Sequence, residues 1–130
     1  MNAVKRIAVL ATASAALATT AVVTAPTASA DSYNGCAWPH VCFYLTQAHW
    51  DNGTPTAGYE DVTSSYQNLG PRSRGADHVY NTRNDDRAYL RIVLDSGTTF
   101  SYCLEPNRGV RLLPGYTVTG VRIDTAPTCP

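Results

Sequence analysis

The stretch GADHVYNTRNDDRAYLRIVLDSG, residues 75–97, gathers side chains that could carry out acid–base or metal chemistry. A histidine lies there among aspartates and arginines, namely His78, Asp77, Asp85, Asp86, Arg83, Arg87 and Arg91. A histidine oriented by a carboxylate can act as a general acid or base, and grouped carboxylates can bind a cation. Whether these groups meet depends on the secondary structure that holds them.

The positions of Asp77 and His78 argue against a catalytic pair. Both fall on a predicted strand, where consecutive side chains point to opposite faces. Residues 82–87 follow and are rich in asparagine and aspartate, which favour turns because their side chains bond to nearby backbone groups. We therefore predict a solvated turn with surface ion pairs, and no enzyme. A hydrolase or ribonuclease that uses His40, His49 or His78 is the weaker alternative, since no known nucleophile or zinc-protease motif occurs.

Alternating apolar and polar residues predict an all-β domain. Six runs have the period of two and the β-branched or aromatic content of half-buried strands. They are residues 41–46, 77–82, 88–94, 98–105, 109–113 and 116–124. Turn signals occur at residues 51–53, 95–97 and 113–116. We predict an antiparallel sandwich without a helix, in which residues 54–75 form long loops with at most one strand.

Residues 1–30 have the parts of a secretory signal peptide. Lys5 and Arg6 give a positive start, an apolar run follows, and Ala28-Ser29-Ala30 is a small-x-small cleavage pattern. A membrane anchor is the weaker alternative, because threonine, serine and proline interrupt the run. We therefore expect a secreted, extracellular protein with one domain, residues 31–130, and no membrane association after cleavage.

The charge balance argues against nucleic-acid binding. The chain has ten basic and ten acidic residues, and removal of Lys5 and Arg6 with the leader leaves eight arginines against the ten acids. Neither a basic patch for phosphate contacts nor a polybasic membrane segment is expected. We expect one small monomeric domain without a cofactor.

The cysteines Cys36, Cys42, Cys103 and Cys129 indicate two disulfide bonds in an exported domain. Four cysteines allow three connectivities, and the sequence alone does not choose among them. We favour Cys36–Cys42 and Cys103–Cys129, which would stabilise the fold by about 2.4 and 3.6 kcal/mol in the chain-entropy model. A zinc site is the weaker alternative, because the chain lacks the paired cysteines or histidines of zinc motifs.

Residues 60–65, EDVTSS, contain oxygen ligands suited to calcium. Glu60, Asp61 and Ser64 are the candidates, because carboxylates and hydroxyls are hard donors. A polar surface loop is the favoured interpretation of the same residues.

Residues 35–53, GCAWPHVCFYLTQAHWDNG, resemble the opening of secreted actinomycete proteins of peptidase inhibitor family I36. The shared features are two near cysteines, an aromatic on a strand, and a second aromatic followed by glycine. In this chain they are Cys36, Cys42, Tyr44, Trp50 and Gly53. Residues 76–83, ADHVYNTR, are similar to a later family segment, with Asn81 at its asparagine, and residues 119–123, TGVRI, are similar to the same strand of a second motif.

The resemblance covers nearly all of residues 31–130. It implies a βγ-crystallin-like Greek-key sandwich of two motifs, stapled by disulfides, in which Tyr44, Trp50, Gly53 and Asn81 are structural. Residues 75–97 then become the junction between the two motifs.

The resemblance also implies inhibition of secreted proteases, including metalloproteases. Such an inhibitor holds an extended loop rigidly, so that a protease binds the loop and releases it slowly. Two loops are candidates. Residues 36–42 contribute Trp38, Pro39 and His40, and residues 103–109 contribute Leu104, Glu105 and Pro106. In the second loop, Leu104 would fill a hydrophobic specificity pocket and Pro106 would limit flexibility.

Trp38 has two interpretations in this scheme. A small disulfide loop would order an exposed tryptophan in advance and make it a recognition anchor. Alternatively, the side chain folds back over the core.

A different class of function also fits the sequence. Crystallin-like folds resemble small secreted killer-toxin-like proteins that act on microbial surfaces, and the tyrosines and tryptophans of this chain could form a sugar-binding face. The alternative function is therefore carbohydrate or cell-surface binding, or the activity of a killer-toxin-like antimicrobial protein.

Overall fold

The structure is a computed structural model that describes residues 32–130. The predicted signal peptide lies outside the described residues. Within them the chain forms short strands and one short helix. The elements are β1 (Val41–Tyr44), α1 (Gln47–Asp51), β2 (Ala57–Tyr59), β3 (Gln67–Asn68), β4 (His78–Asn81), β5 (Arg87–Leu94), β6 (Thr99–Leu104), β7 (Arg108–Arg111) and β8 (Tyr116–Asp124).

The strands form two four-stranded antiparallel sheets. The first sheet has the order β2-β1-β4-β7, and the second has the order β3-β8-β5-β6. Each sheet therefore takes three strands from one half of the chain and one strand from the other half: β7 crosses to the first sheet and β3 to the second. The predicted all-β fold of antiparallel sheets is confirmed.

The core lies between the sheets and follows the alternation of the strands. On β5, Ala88, Leu90 and Ile92 are buried, and the residues between them are partly exposed. Val41 and Phe43 from β1 and Val118, Val121 and Ile123 from β8 belong to the same cluster. On β5 the alternation seen in the sequence shows which face is buried, whereas on β8 the alternation shifts by one residue between Val118 and Val121, where the register with β5 changes.

Two parts of the prediction are wrong. Residues 54–75 contain two short strands, β2 and β3, where at most one was predicted, and α1 forms where no helix was predicted. Neither strand exceeds three residues, and each forms because a neighbour supplies hydrogen-bond partners: β1 for β2, and β8 for β3. In α1, the Thr46 side chain accepts a hydrogen bond from the backbone N–H of His49 and caps the helix.

Both disulfides have the favoured pairing. Cys36–Cys42 spans Cα atoms 5.8 Å apart, and Cys103–Cys129 spans Cα atoms 5.9 Å apart. The first closes a loop in front of β1, and the second fixes the C-terminal segment to β6. Two disulfides in so small a domain are compatible with an extracellular location. Over residues 32–130, no helix has the length and apolar character needed to span a membrane.

Candidate functional site

The loop closed by Cys36 and Cys42 exposes the aromatic side chain predicted as an anchor. Trp38 is 45% exposed, and Pro39 and His40 are partly exposed. The backbone N–H of His40 donates to the carbonyl of Ala37 at 3.0 Å, which makes the loop a tight turn. The interpretation of Trp38 as a lid on the core is therefore wrong, and the tryptophan is available to a partner.

Residues that follow β4 hold this loop in place. The Thr82 hydroxyl lies 2.8 Å from the carbonyl of His40 and 3.2 Å from that of Ala37. The Arg83 guanidinium donates to the carbonyl of Pro39 at 2.9 Å. Two consecutive residues of the chain, Thr82 and Arg83, thus connect the loop to the sandwich. These bonds fix the loop in addition to the disulfide.

Arg83 and Asp86 differ from the solvated ion pair that the sequence predicts. Their side chains are only 13% and 12% exposed, and they form a close ion pair in which Arg83 Nε donates to Asp86 Oδ2 at 2.7 Å. Arg83 also donates to the backbone carbonyl of Glu60. Because one guanidinium joins three segments, the pair is part of the packed structure. The predicted surface pair is wrong here, because the local sequence does not show that Pro39 and Glu60 lie beside Arg83.

The second candidate loop is corrected by the structure. Leu104 is 2% exposed and belongs to the core, so it cannot enter the specificity pocket of a protease. Strand β6 runs to Leu104 and β7 begins at Arg108, which leaves residues 105–107 as a tight connection. Glu105 is exposed and Pro106 partly exposed. So short a connection does not project far from the sheets, and the loop at Cys36–Cys42 is the stronger candidate.

Asn81 connects the two halves of the chain from a fully buried position. Its side-chain amide donates to the carbonyl of Asp86 at 2.9 Å and lies 3.4 Å from the carbonyls of Leu104 and Glu105. Its side-chain oxygen accepts from the backbone N–H of Arg83 at 3.0 Å. The amide group therefore satisfies backbone groups on both sides of the junction, and this geometry is that of a structural residue.

A second cluster of aromatic side chains covers the outer face of the first sheet. Trp50 on α1 stacks on His78 with ring centroids 4.7 Å apart, and Tyr33 stacks on Tyr80 at 4.4 Å. Tyr44 lies beneath them, fully buried, and its hydroxyl donates to the carbonyl of Asn34 at 2.8 Å. Burial raises the pKa of Tyr44 to about 12. The hydrogen bond and the stacking fix α1 and the N-terminal turn on the sheet.

The edge of this cluster is a shallow concavity of about 290 Å³. It is lined by Tyr33, Trp50, His78, Tyr80, Gly109, Val110 and Arg111. Tyr33 is 51% exposed, and Arg111 lines the same concavity. Sequence reasoning did not select Tyr33 or Arg111. The sequence contains one signal for this cluster. His78 and Tyr80 lie on the same face of β4, and Tyr44 lies on the neighbouring strand β1, where it pairs with His78.

Arginine side chains lie over two tyrosine rings of the second sheet. Arg87 and Arg122 lie over the ring of Tyr89, at 5.0 and 4.5 Å from its centroid. Arg122 also lies 5.8 Å from the ring centroid of Tyr66, and Arg91 5.5 Å from it. These cation–π contacts cover rings on the second sheet. The rings of Tyr66 and Tyr89 are therefore less available to stack on a sugar than the exposed ring of Tyr33.

The calcium candidates do not converge. Glu60, Asp61 and Ser64 are exposed, and Glu60 Oε2 lies 3.5 Å from His40 Nε2. Among the described residues, no group of three or more His, Cys, Asp or Glu side chains could hold a metal ion. The geometry supports the polar surface loop.

His78 is enclosed by its neighbours and is not oriented for acid–base chemistry. Its Nε2 lies 2.8 Å from Gln47 Oε1, and Trp50 covers one face of the ring. Burial, followed by the positive charge of Arg111, lowers the pKa of His78, and the carboxylates of Asp77 and Asp51 only partly oppose this shift. The neutral imidazole is therefore part of the folded structure.

The lowered pKa of His78 predicts a pH-dependent stability. Below about pH 6.5 the unfolded chain binds a proton that the folded chain resists, so the free energy of unfolding should decrease as the pH falls through this range. His78→Gln should remove this part of the pH dependence, and His49→Gln, on the partly exposed side of α1, should retain it. Urea titrations between pH 5 and 8 measure the difference. Equal slopes for the two variants would contradict the assignment.

Comparison of the chain with protein-family models, with curated proteins and with solved structures finds no match.

Proposed function

We propose that this protein is a secreted inhibitor of extracellular proteases that binds through the loop closed by Cys36 and Cys42. The observation that carries the proposal is the combination of an exposed Trp38 with a backbone fixed by the disulfide, Thr82 and Arg83. A loop ordered before binding loses little conformational entropy in the complex, which favours slow release. Pro39 and His40 complete the contact surface, and Glu105 is a secondary candidate.

The resemblance to family I36 and to βγ-crystallins remains part of the proposal. Strands β1, β2 and β4 share one sheet while β3 crosses over, and β5, β6 and β8 share the other while β7 crosses over. The same exchange in both halves supports two Greek-key motifs. Val79 on β4 and Val121 on β8 take equivalent, fully buried places. The cleaved leader and secretion are proposed together with this assignment.

The inhibitor proposal predicts a loss of potency on removal of the anchor. Trp38→Ala should weaken inhibition about 30-fold, because exposed tryptophans at the centre of an interface contribute about 2 kcal/mol or more. The oxidised protein should be titrated against thermolysin-like and subtilisin-like proteases. Tyr33→Ser, which removes the other strongly exposed aromatic, is the matched control and should leave potency unchanged. Absence of inhibition by the wild-type protein at micromolar concentration would refute the proposal.

Carbohydrate binding is the second candidate, and the concavity beside Tyr33 is the observation that favours it. An exposed aromatic ring can stack on a sugar, and an arginine that lines the same concavity can donate hydrogen bonds to the sugar hydroxyls. The same two variants distinguish the functions. Retention on chitin or peptidoglycan that is lost in Tyr33→Ser and kept in Trp38→Ala, without protease inhibition, would support the carbohydrate function.

A further inference from the structure

The outer edges of the two sheets are protected unequally. An edge strand presents unpaired backbone groups that can pair with another chain. Proteins usually prevent this by keeping the strand short or by placing charged residues on it. Strands β2 and β3 have only three and two residues, and β7 carries Arg108 and Arg111. Strand β6, TFSYCL, has six residues and no charged or proline residue. It is the one edge of the described sheets that lacks these forms of protection.

The backbone of β6 has hydrogen-bonding groups that face away from its sheet. The backbone N–H of Leu94 donates to the carbonyl of Thr98 at the hairpin end, and the antiparallel ladder alternates from there. The backbone groups of Thr99, Ser101 and Cys103 therefore point outward. Within residues 32–130, no other segment forms a backbone hydrogen bond with these three residues. The Cys103–Cys129 disulfide extends from the side chain, perpendicular to that direction.

Aromatic side chains lie on β6 and beside it. Tyr102 is 39% exposed, and Phe100, two residues earlier on the same face, contacts Tyr116 edge-on at 6.0 Å. Tyr116 is itself exposed. An uncharged strand with free backbone groups beside exposed aromatic rings has the properties of a strand-pairing surface.

The sequence of β6 fits a second copy of itself. In an antiparallel pair centred on Ser101, Ser101 faces Ser101 of the second copy and Thr99 faces its Cys103. These are the residues with outward backbone groups, so the pair can form up to about six backbone hydrogen bonds. Phe100 then lies opposite Tyr102 of the second copy on each side of the axis, where aromatic cross-strand pairs are stabilising. No like charges meet.

We propose that two copies of this protein pair through β6 to form one continuous eight-stranded sheet. The sequence alone predicts a monomer. The dimer could not be predicted from it, because an unprotected edge becomes apparent only when the sheet order is known. A two-fold axis is the commonest arrangement of such self-complementary surfaces. The proposal is independent of the inhibitory loop, which precedes β1 in the other sheet.

The test places a charge at the proposed axis. Sedimentation equilibrium of the oxidised wild-type protein, up to about 1 mM, should show reversible dimers. Ser101→Lys and Ser101→Asp should each raise the dissociation constant at least about ten-fold, because like charges would then face each other. Both variants remove the Ser101 hydroxyl, which lies 2.6 Å from the hydroxyl of Tyr66. Ala48→Lys, on the exposed side of α1, is the charge control and should dimerise like the wild type.

An equimolar mixture of the lysine and aspartate variants gives the decisive result. Opposite charges then face each other, so heterodimers should form at concentrations where each variant alone is monomeric. This rescue also shows that both variants are folded. A wild type that remains monomeric throughout overturns the proposal. Dimers that Ser101→Lys leaves intact, or a mixture without rescue, overturn it as well, because they would place the contact elsewhere.

Discussion

Replacing Asn81 with alanine is expected to lower the free energy of unfolding by about 3 kcal/mol. The side chain is fully buried; its bond to the carbonyl of Asp86 is buried, and its bond to the N–H of Arg83 is partly buried. Alanine would leave the carbonyl of Asp86 and the N–H of Arg83 without these partners, and each unsatisfied buried group is costly. Urea or guanidinium unfolding of the oxidised protein measures the change.

Two further variants make the Asn81 prediction specific. Asn68→Ala removes an exposed asparagine whose side-chain oxygen accepts from Arg91, and it should cost less than about 1 kcal/mol. Asn81→Asp keeps the shape but points a carboxylate at backbone carbonyls. Its protonated form can still donate one hydrogen bond, so this variant should gain stability relative to wild type as the pH falls. A loss at Asn81→Ala no larger than at Asn68→Ala would contradict the role.

Gly35→Ala is expected to destabilise the protein by about 3 kcal/mol or more. Gly35 has a φ of +77°, and a Cβ atom there would lie 1.9 Å from the carbonyl oxygen of Gly53. The obstacle is backbone, so relief requires the N-terminal turn to separate from the residues after α1. That separation would break the hydrogen bond from the Asn34 side chain to the carbonyl of Trp50.

Gly97→Ala measures the strain of a positive φ alone, without the steric clash that a Cβ atom would cause at Gly35. Gly97 has a φ of +87° in the β5–β6 hairpin, and a Cβ atom there would meet nothing within 4 Å. Its replacement should cost only about 1–2 kcal/mol, the strain of an L-residue in this region. Thermal unfolding of both variants gives the comparison. Equal losses would mean that the contact between Gly35 and Gly53 adds nothing.

The strands predictable from sequence are those whose own residues decide their burial. β5 alternates over eight residues, so its periodicity is unambiguous, and β8 has two alternating parts separated by a bulge opposite Arg91 and Ile92. β3 has only Gln67 and Asn68, which carry no apolar pattern, and it exists because the backbone of β8 is available. Similarly, α1 is short and has no buried residue, so it lacks the apolar stripe by which helices are recognised.

The site was less predictable than the fold because its contacts join distant parts of the chain. The exposure of Trp38 follows from a disulfide loop that the sequence indicates. The residues that hold the loop, Thr82 and Arg83, follow β4. They reach the loop only because β4 pairs with β1. Leu104 was misassigned as a loop residue although the predicted strand 98–105 includes it: it pairs with the buried Ala88 and lies in the core.

The exchange of β3 and β7 between the sheets makes the two halves of the chain mutually dependent. A fragment ending at the junction lacks β7, which pairs with β4, and a fragment beginning there lacks β3, which pairs with β8. Neither half alone completes a sheet or covers its apolar face. We therefore expect neither half to be stable alone. The whole domain is expected to fold in one step, which brings together strands that are far apart in the sequence. Such a topology favours all-or-none unfolding and slow folding.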